Sequence, residues 1–143
     1  MKSLVVVLID PESNRLRDEL ARNLEPYRLD DDDLESIRSR HWDYWFLPTG
    51  EPISDPEIEE RFPNEDPEIR ENSSVVGNLP KDFVCSGIIS NELGWVDLQE
   101  YGWSLINEPC RANKKAMKEW TKRIREIFTE HSEKICVQVI VHC

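Results

Sequence analysis

Hydrophobic positions fall into a few strongly patterned segments, separated by polar stretches marked by proline. Leu4-Val5-Val6-Val7-Leu8-Ile9 is an unbroken, β-branched-rich run, the pattern of a central strand buried on both faces. Asp10-Pro11 stops it. Leu16, Leu20 and Leu24 then recur every four residues, which predicts the apolar stripe of a helix capped by Asp10 or Ser13 and closed at Pro26. Residues 41 to 46 alternate as a strand would, sending Trp42, Tyr44 and Phe46 to the core and His41, Asp43 and Trp45 to the other face. Residues 82 to 89 and 95 to 98 read as a hairpin turning at 91 to 94.

Late in the chain, Ala116, Met117, Trp120, Ile124, Ile127, Phe128 and His131 keep the three-and-four spacing of one buried helical face, predicting a helix over about residues 110 to 131. Asn107 or Glu108 precedes its start at Pro109. Residues 135 to 143 form a nearly all-apolar closing strand ending in His142-Cys143.

Between the second and third strands the pattern changes. Residues 48 to 80 hold six of the nine prolines and few apolar side chains. An echo, Asp55-Pro56-Glu57-Ile58 and Asp66-Pro67-Glu68-Ile69, predicts one or two single-turn helices linked by proline-broken loop, because Asp caps and Pro presets the first helical φ. The order of elements implies an α+β fold: two helices on one face of a four- or five-stranded, mostly antiparallel sheet, with a ferredoxin-like arrangement as the specific expectation. Residues 1 to 143 are read as a single domain carrying residues 48 to 80 as an acidic, proline-rich excursion. That excursion is either a solvated insertion or a partner-binding arm.

Charge sharpens this picture. Residues 30 to 71 hold 15 of the 29 acidic side chains but 4 of the 18 basic ones, a local charge of −11 that equals that of the whole chain. Residues 111 to 134 carry eight basic and four acidic side chains. That basic face is expected to be solvated or to answer the acidic middle of the same chain. A mean field this negative disfavours direct binding to nucleic acid or anionic lipid. Cys85, Cys110, Cys136 and Cys143 form no Cys-x-x-Cys pair, and the apolar run at 4 to 9 is too short for a signal or membrane segment. A cytoplasmic protein with free thiols and no membrane or cofactor requirement is expected.

Candidate chemistry concentrates at Arg40-His41-Trp42-Asp43-Tyr44-Trp45-Phe46. His41 and Asp43 are the beginning of a metal or general-base site, with Tyr44 and His142 as further candidates, although two ligands do not complete a metal site. Read structurally, the same residues are a polar strand face. Asp30-Asp31-Asp32-Asp33 lacks the glycine and distal glutamate of a calcium loop and reads as a solvated loop or helix start. His142 and Cys143 are neighbours on a strand, so their side chains point to opposite faces and cannot easily serve each other as base and nucleophile.

Several of these segments resemble a group of small bacteriophage and actinobacterial proteins with no assigned activity. The resemblance lies in Leu24-Glu25-Pro26-Tyr27, Trp42-Asp43-Tyr44-Trp45, Gly102-Trp103 and the terminal strand ending in His142-Cys143. Members of the group show Leu-x-Pro-Tyr, Trp-Asp-Trp-Tyr followed by Gly-Gly-Arg-Trp, Gly-Trp and a terminal Asp-Cys-His. This chain departs from them at Phe46-Leu47-Pro48-Thr49-Gly50 and in its terminal order. The resemblance implies a mobile-element protein. The leading expectation is a small acidic modulator or inhibitor of a host or defence protein, itself a nucleic-acid binder, whose acidic face stands where nucleic acid would sit. Its expected contacts are Asp31, Asp32, Asp33, Trp45, Glu57, Glu59, Glu60, Glu65 and Asp66. The alternative is a metal-dependent hydrolase using His41, Asp43 and neighbouring groups.

Overall fold

The computed structural model describes residues 2 to 29, 42 to 50, 52 to 103 and 111 to 142. The fold is α+β. Its first strand, β1 (Lys2–Ile9), is followed by helix α1 (Leu16–Leu24) and a 3-10 turn at Glu25–Tyr27. A three-residue strand β2 (Tyr44–Phe46) leads to two short helices, α2 (Pro56–Arg61) and α3 (Pro67–Glu71), and to strand β3 (Ser73–Val75). The hairpin is β4 (Gly87–Ser90) and β5 (Gly94–Asp97), and the chain closes with helix α4 (Arg111–Glu130) and strand β6 (Ile135–His142).

The described strands form one six-stranded sheet in the order β2-β6-β1-β4-β5, with β3 also on β6. All pairings are antiparallel except β1 with β4. A ferredoxin-like sheet would place another strand between the two parallel partners of its β-α-β unit, whereas β1 and β4 here are direct neighbours. Burial explains the order. Ile88 and Ile89 of β4 are fully buried while β5 is half-buried throughout, so β4 takes the inner place and β5 the edge. Gly87 lets β4 come close: a Cβ there would stand 3.1 Å from Val5 Cγ1.

The helices do not share one face. Val5, Val7 and Ile9 pack with Leu16, Leu20 and Leu24 of α1 and with Ile58 and Ile69 of α2 and α3. Val6 and Leu8 pack instead with Ala116, Trp120, Ile124 and Ile127 of α4. A strand apolar at every position requires cover on both sides, so the one-sided arrangement expected from element order gives way to three layers. Met117, expected on the buried face of α4, is exposed at the edge of its stripe, whereas His131 is buried as expected.

Residues 48 to 80 are built into this frame. Ile58 and Ile69 are fully buried, and Phe62 nearly so; each isoleucine contributes about 2 kcal/mol of apolar burial. β2 and β3 pair with opposite ends of the same side of β6, at His142 to Ile140 and at Val137 to Ile135. The acidic segment leaves the sheet after β2 and returns to it at β3. Between the two strands, Gln138 donates through its backbone and side-chain amides to Asn72, both at 2.8 Å. Asp55 caps α2 by accepting from the Glu57 N–H and reaches on to Val75 N–H, Ser74 Oγ and Asn78 Nδ2. Burial pushes the Asp55 carboxyl up, but these donors together hold it below its ordinary range.

The cap of α1 also comes from this segment. Neither Asp10 nor Ser13 caps the helix; Glu65 Oε2 accepts from the Leu16 N–H at 2.9 Å, across 49 residues.

Candidate functional site

The phase of β2 decides the chemistry near His142. Trp42 is buried and donates its indole N–H to the Leu24 carbonyl at 2.8 Å, but it lies outside the strand in a single bridge to Arg28. Asp43 then forms a bend, its carboxylate accepting from the Tyr44 N–H at 2.9 Å. That bend resets the alternation. Tyr44 (46% exposed) and Phe46 (38% exposed) face outward, and Trp45 turns in to pack against the core. The expectation that Tyr44 and Phe46 belong to the core, with Trp45 on the other face, is therefore reversed.

Across the sheet, Tyr44 pairs with His142, and His142 with Lys2. Directly opposed antiparallel residues share a face, so Lys2, His142 and Tyr44 form one row over three strands. Beside it run Leu4, Ile140 and Phe46. The Tyr44 and His142 rings stack nearly parallel, 10° apart with centroids at 4.6 Å, and Phe46 follows Tyr44 at 6.2 Å. The Lys2 ammonium lies 5.4 Å from the Phe46 centroid.

Asp43 completes the constellation. Its N–H donates to the His142 carbonyl at 2.8 Å, and its Oδ1 lies 2.8 Å from His142 Nδ1. An ionised carboxylate can only accept, so Nδ1 carries the proton and Nε2 is left as the basic nitrogen. The hydrogen bond from His142 holds the Asp43 carboxyl below its ordinary range. Slight desolvation opposes this, while electrostatic attraction to the imidazole and the Tyr44 N–H reinforce it.

Of the residues singled out in the sequence, Asp43, Tyr44 and His142 come together. His41, Asp31, Asp32, Asp33 and Cys143 lie outside the described residues, so the expected pairing of His41 with Asp43 does too. Among the described residues no three His, Cys, Asp or Glu side chains gather as a metal site. Burial pushes the Cys85 and Cys136 thiols up to about 12, which makes both inert as nucleophiles. Lys2 and Phe46 were not legible as members of the row. Only the bend at Asp43, an Asp before an aromatic run, carried a local signal.

The acidic candidates divide into two groups. Glu65 is taken up by the cap of α1, and Asp66 accepts from Arg17 Nη2 at 2.8 Å. Both line a groove of about 490 Å³ between α1 and the α2–α3 connection, where Arg15, Arg17 and Arg61 balance the acids. Glu57, Glu59 and Glu60 are exposed on α2; Glu57 faces Arg61 at 3.7 Å and Glu59 faces Arg70 at 3.3 Å. The basic side chains of α4 do not reach this surface among the described residues. Its ion pairs, Lys115 with Glu119 and Arg123 with Glu126, run along its own length.

Comparisons with family models, curated proteins and solved structures return no match. No described helix is long and apolar enough to cross a membrane.

Proposed function

We propose that the chain is a small acidic protein-binding module that modulates or inhibits a partner with a basic, nucleic-acid-binding surface. The observation that carries this reading is the way the acidic segment is held. Residues 55 to 71 contain eight acidic and two basic side chains. Ile58, Ile69 and the hydrogen-bonded Asp55 anchor the segment to the core. Its outward carboxylates, Glu57 and Glu60 on α2 and Glu68 and Glu71 on α3, therefore stand on short, fixed helices. A surface ordered before binding spares the entropy of ordering it afterwards, and an array of negative charge accelerates encounter with a basic partner. Such an array can occupy a site that otherwise takes phosphates. The motif resemblance to phage and actinobacterial proteins supports a host or defence protein as that partner.

Charge reversal of Glu57, Glu60, Glu68 and Glu71 together tests the reading. All four are exposed, so the variant is expected to fold and to lose its partner in affinity purification from the native host, read by mass spectrometry. An unchanged partner list sinks the proposal.

A further inference from the structure

The row on the other side of the sheet has a different chemistry. We infer that His142, oriented by Asp43, is a general base for the hydrolysis of small carboxylic esters, with Lys2 placed to offset the negative charge that develops on the acyl oxygen.

One ring nitrogen of His142 is held and the other is free. Asp43 Oδ1 engages His142 Nδ1 at 2.8 Å, and among the described residues Nε2 has no hydrogen-bond partner. A carboxylate on Nδ1 is the arrangement that fixes an imidazole's tautomer and stabilises the imidazolium formed when Nε2 takes a proton. Asp43 is in turn clamped, through its own N–H to the His142 carbonyl and through its carboxylate to the Tyr44 N–H. The stacked Tyr44 ring fixes the plane of the imidazole. His142 is thus held from two directions while remaining about one-third exposed.

The neighbours define what could react there. Lys2 is the cross-strand partner of His142 and carries a cation on the same face, which suits a reaction that builds negative charge on oxygen. The exposed rings of Tyr44 and Phe46 form an apolar ledge beside it. Acyl transfer to water fits these groups. Nε2 removes a proton from water as its oxygen adds to the ester carbonyl, giving a tetrahedral oxyanion near the Lys2 ammonium. The carbonyl re-forms, the C–O bond to the alcohol breaks, and the departing alkoxide takes the proton back from Nε2. The products are the acid and the alcohol, and the imidazole returns to its starting state. His142 is the catalytic residue in this scheme and Asp43 a positioning residue.

Ethyl dichloroacetate, an activated acyl group with an alkoxide leaving group, is a suitable probe, its hydrolysis followed by acid release in a pH-stat. His142→Ala and His142→Asn retain His41 and His131, so the background from other imidazoles is the same in every sample. The wild-type rate is expected to exceed that of both variants roughly tenfold, below the roughly hundredfold low end of enclosed general-base sites because this one is open to water. Asp43→Asn should fall between them and Asp43→Glu should recover most of the rate. The hydrogen-bonded Nδ1 proton should give a downfield resonance in the wild type and in Asp43→Glu that is missing in Asp43→Asn. Far-ultraviolet circular dichroism confirms that each variant is folded. Equal rates for the wild type and both His142 variants overturn the inference. Full activity in Asp43→Asn with that resonance gone overturns the role of Asp43.

Discussion

Asp43 and Asp55 are both aspartates whose hydrogen bonds hold the carboxyl below its ordinary range, yet the regions around them do different work. Asp55 is 6% exposed and its two oxygens serve four donors: Glu57 N–H, Val75 N–H, Ser74 Oγ and Asn78 Nδ2. Each partner is a backbone or neutral side-chain group within the segment that Asp55 fastens. Nothing is left over for a ligand. Asp43 is exposed and shares its oxygen with one imidazole and one neighbouring N–H. The second nitrogen of that imidazole has no hydrogen-bond partner among the described residues. A carboxylate saturated by buried donors acts as a staple, whereas one paired with a single exposed imidazole aims a base.

The largest effect expected from breaking this contrast is at Asp55. Asp55→Ala strands the buried Val75 N–H and takes the acceptor from the Glu57 N–H and Asn78 Nδ2, while the Ser74 hydroxyl keeps the Val75 carbonyl, at a cost of about 3 kcal/mol. The check is a denaturant titration at unchanged slope; a loss below about 1 kcal/mol would mean that the segment is not held as described.

Smaller, and specific to the Asp43 region, is the phase of β2. Trp45→Ala should destabilise by about 2 kcal/mol, because the indole packs against the core, while Phe46→Ala should cost well under about 1 kcal/mol. Reversed magnitudes would restore the simple alternation read from the sequence.

The smallest effect is in the acid limb of stability. The Asp55 carboxyl is depressed in the folded state, so its contribution is fully present above the unfolded value, near 3.9, and is lost as pH falls through the folded one. Asp55→Asn should therefore differ most from the wild type at neutral pH, with the gap narrowing below about pH 4. A gap that is constant or widens in acid would contradict this.

Much of the scaffold was legible because its signals are periodic. The run at 4 to 9, the leucine stripe of α1, the hairpin with its turn after Ser90, and the Ala116, Trp120, Ile124, Ile127 and Phe128 face of α4 all fold as their spacing implies. Both Asp-Pro-Glu-Ile repeats start a helix, α2 and α3, although only Asp55 makes the side-chain cap and Asp66 does not. The first half of the expected strand at 82 to 89 did not form, and β4 begins at Gly87. The site was legible only in part. Asp43, Tyr44 and His142 each stand out by residue type, but simple alternation puts Tyr44 on the wrong face, and nothing local joins residues 99 positions apart.

By itself, then, the sequence determined the type of most elements, the charge layout and the need of β1 for cover on two faces, because these depend on local periodicity and composition. The tertiary structure alone decided which helix covers which face, that Glu65 caps α1, that a bend at Asp43 turns Tyr44 and Phe46 outward, and that Asp43 meets His142. Each of those depends on the register between distant strands. Register is set by the packing of the whole sheet, and a shift of one residue exchanges its two faces.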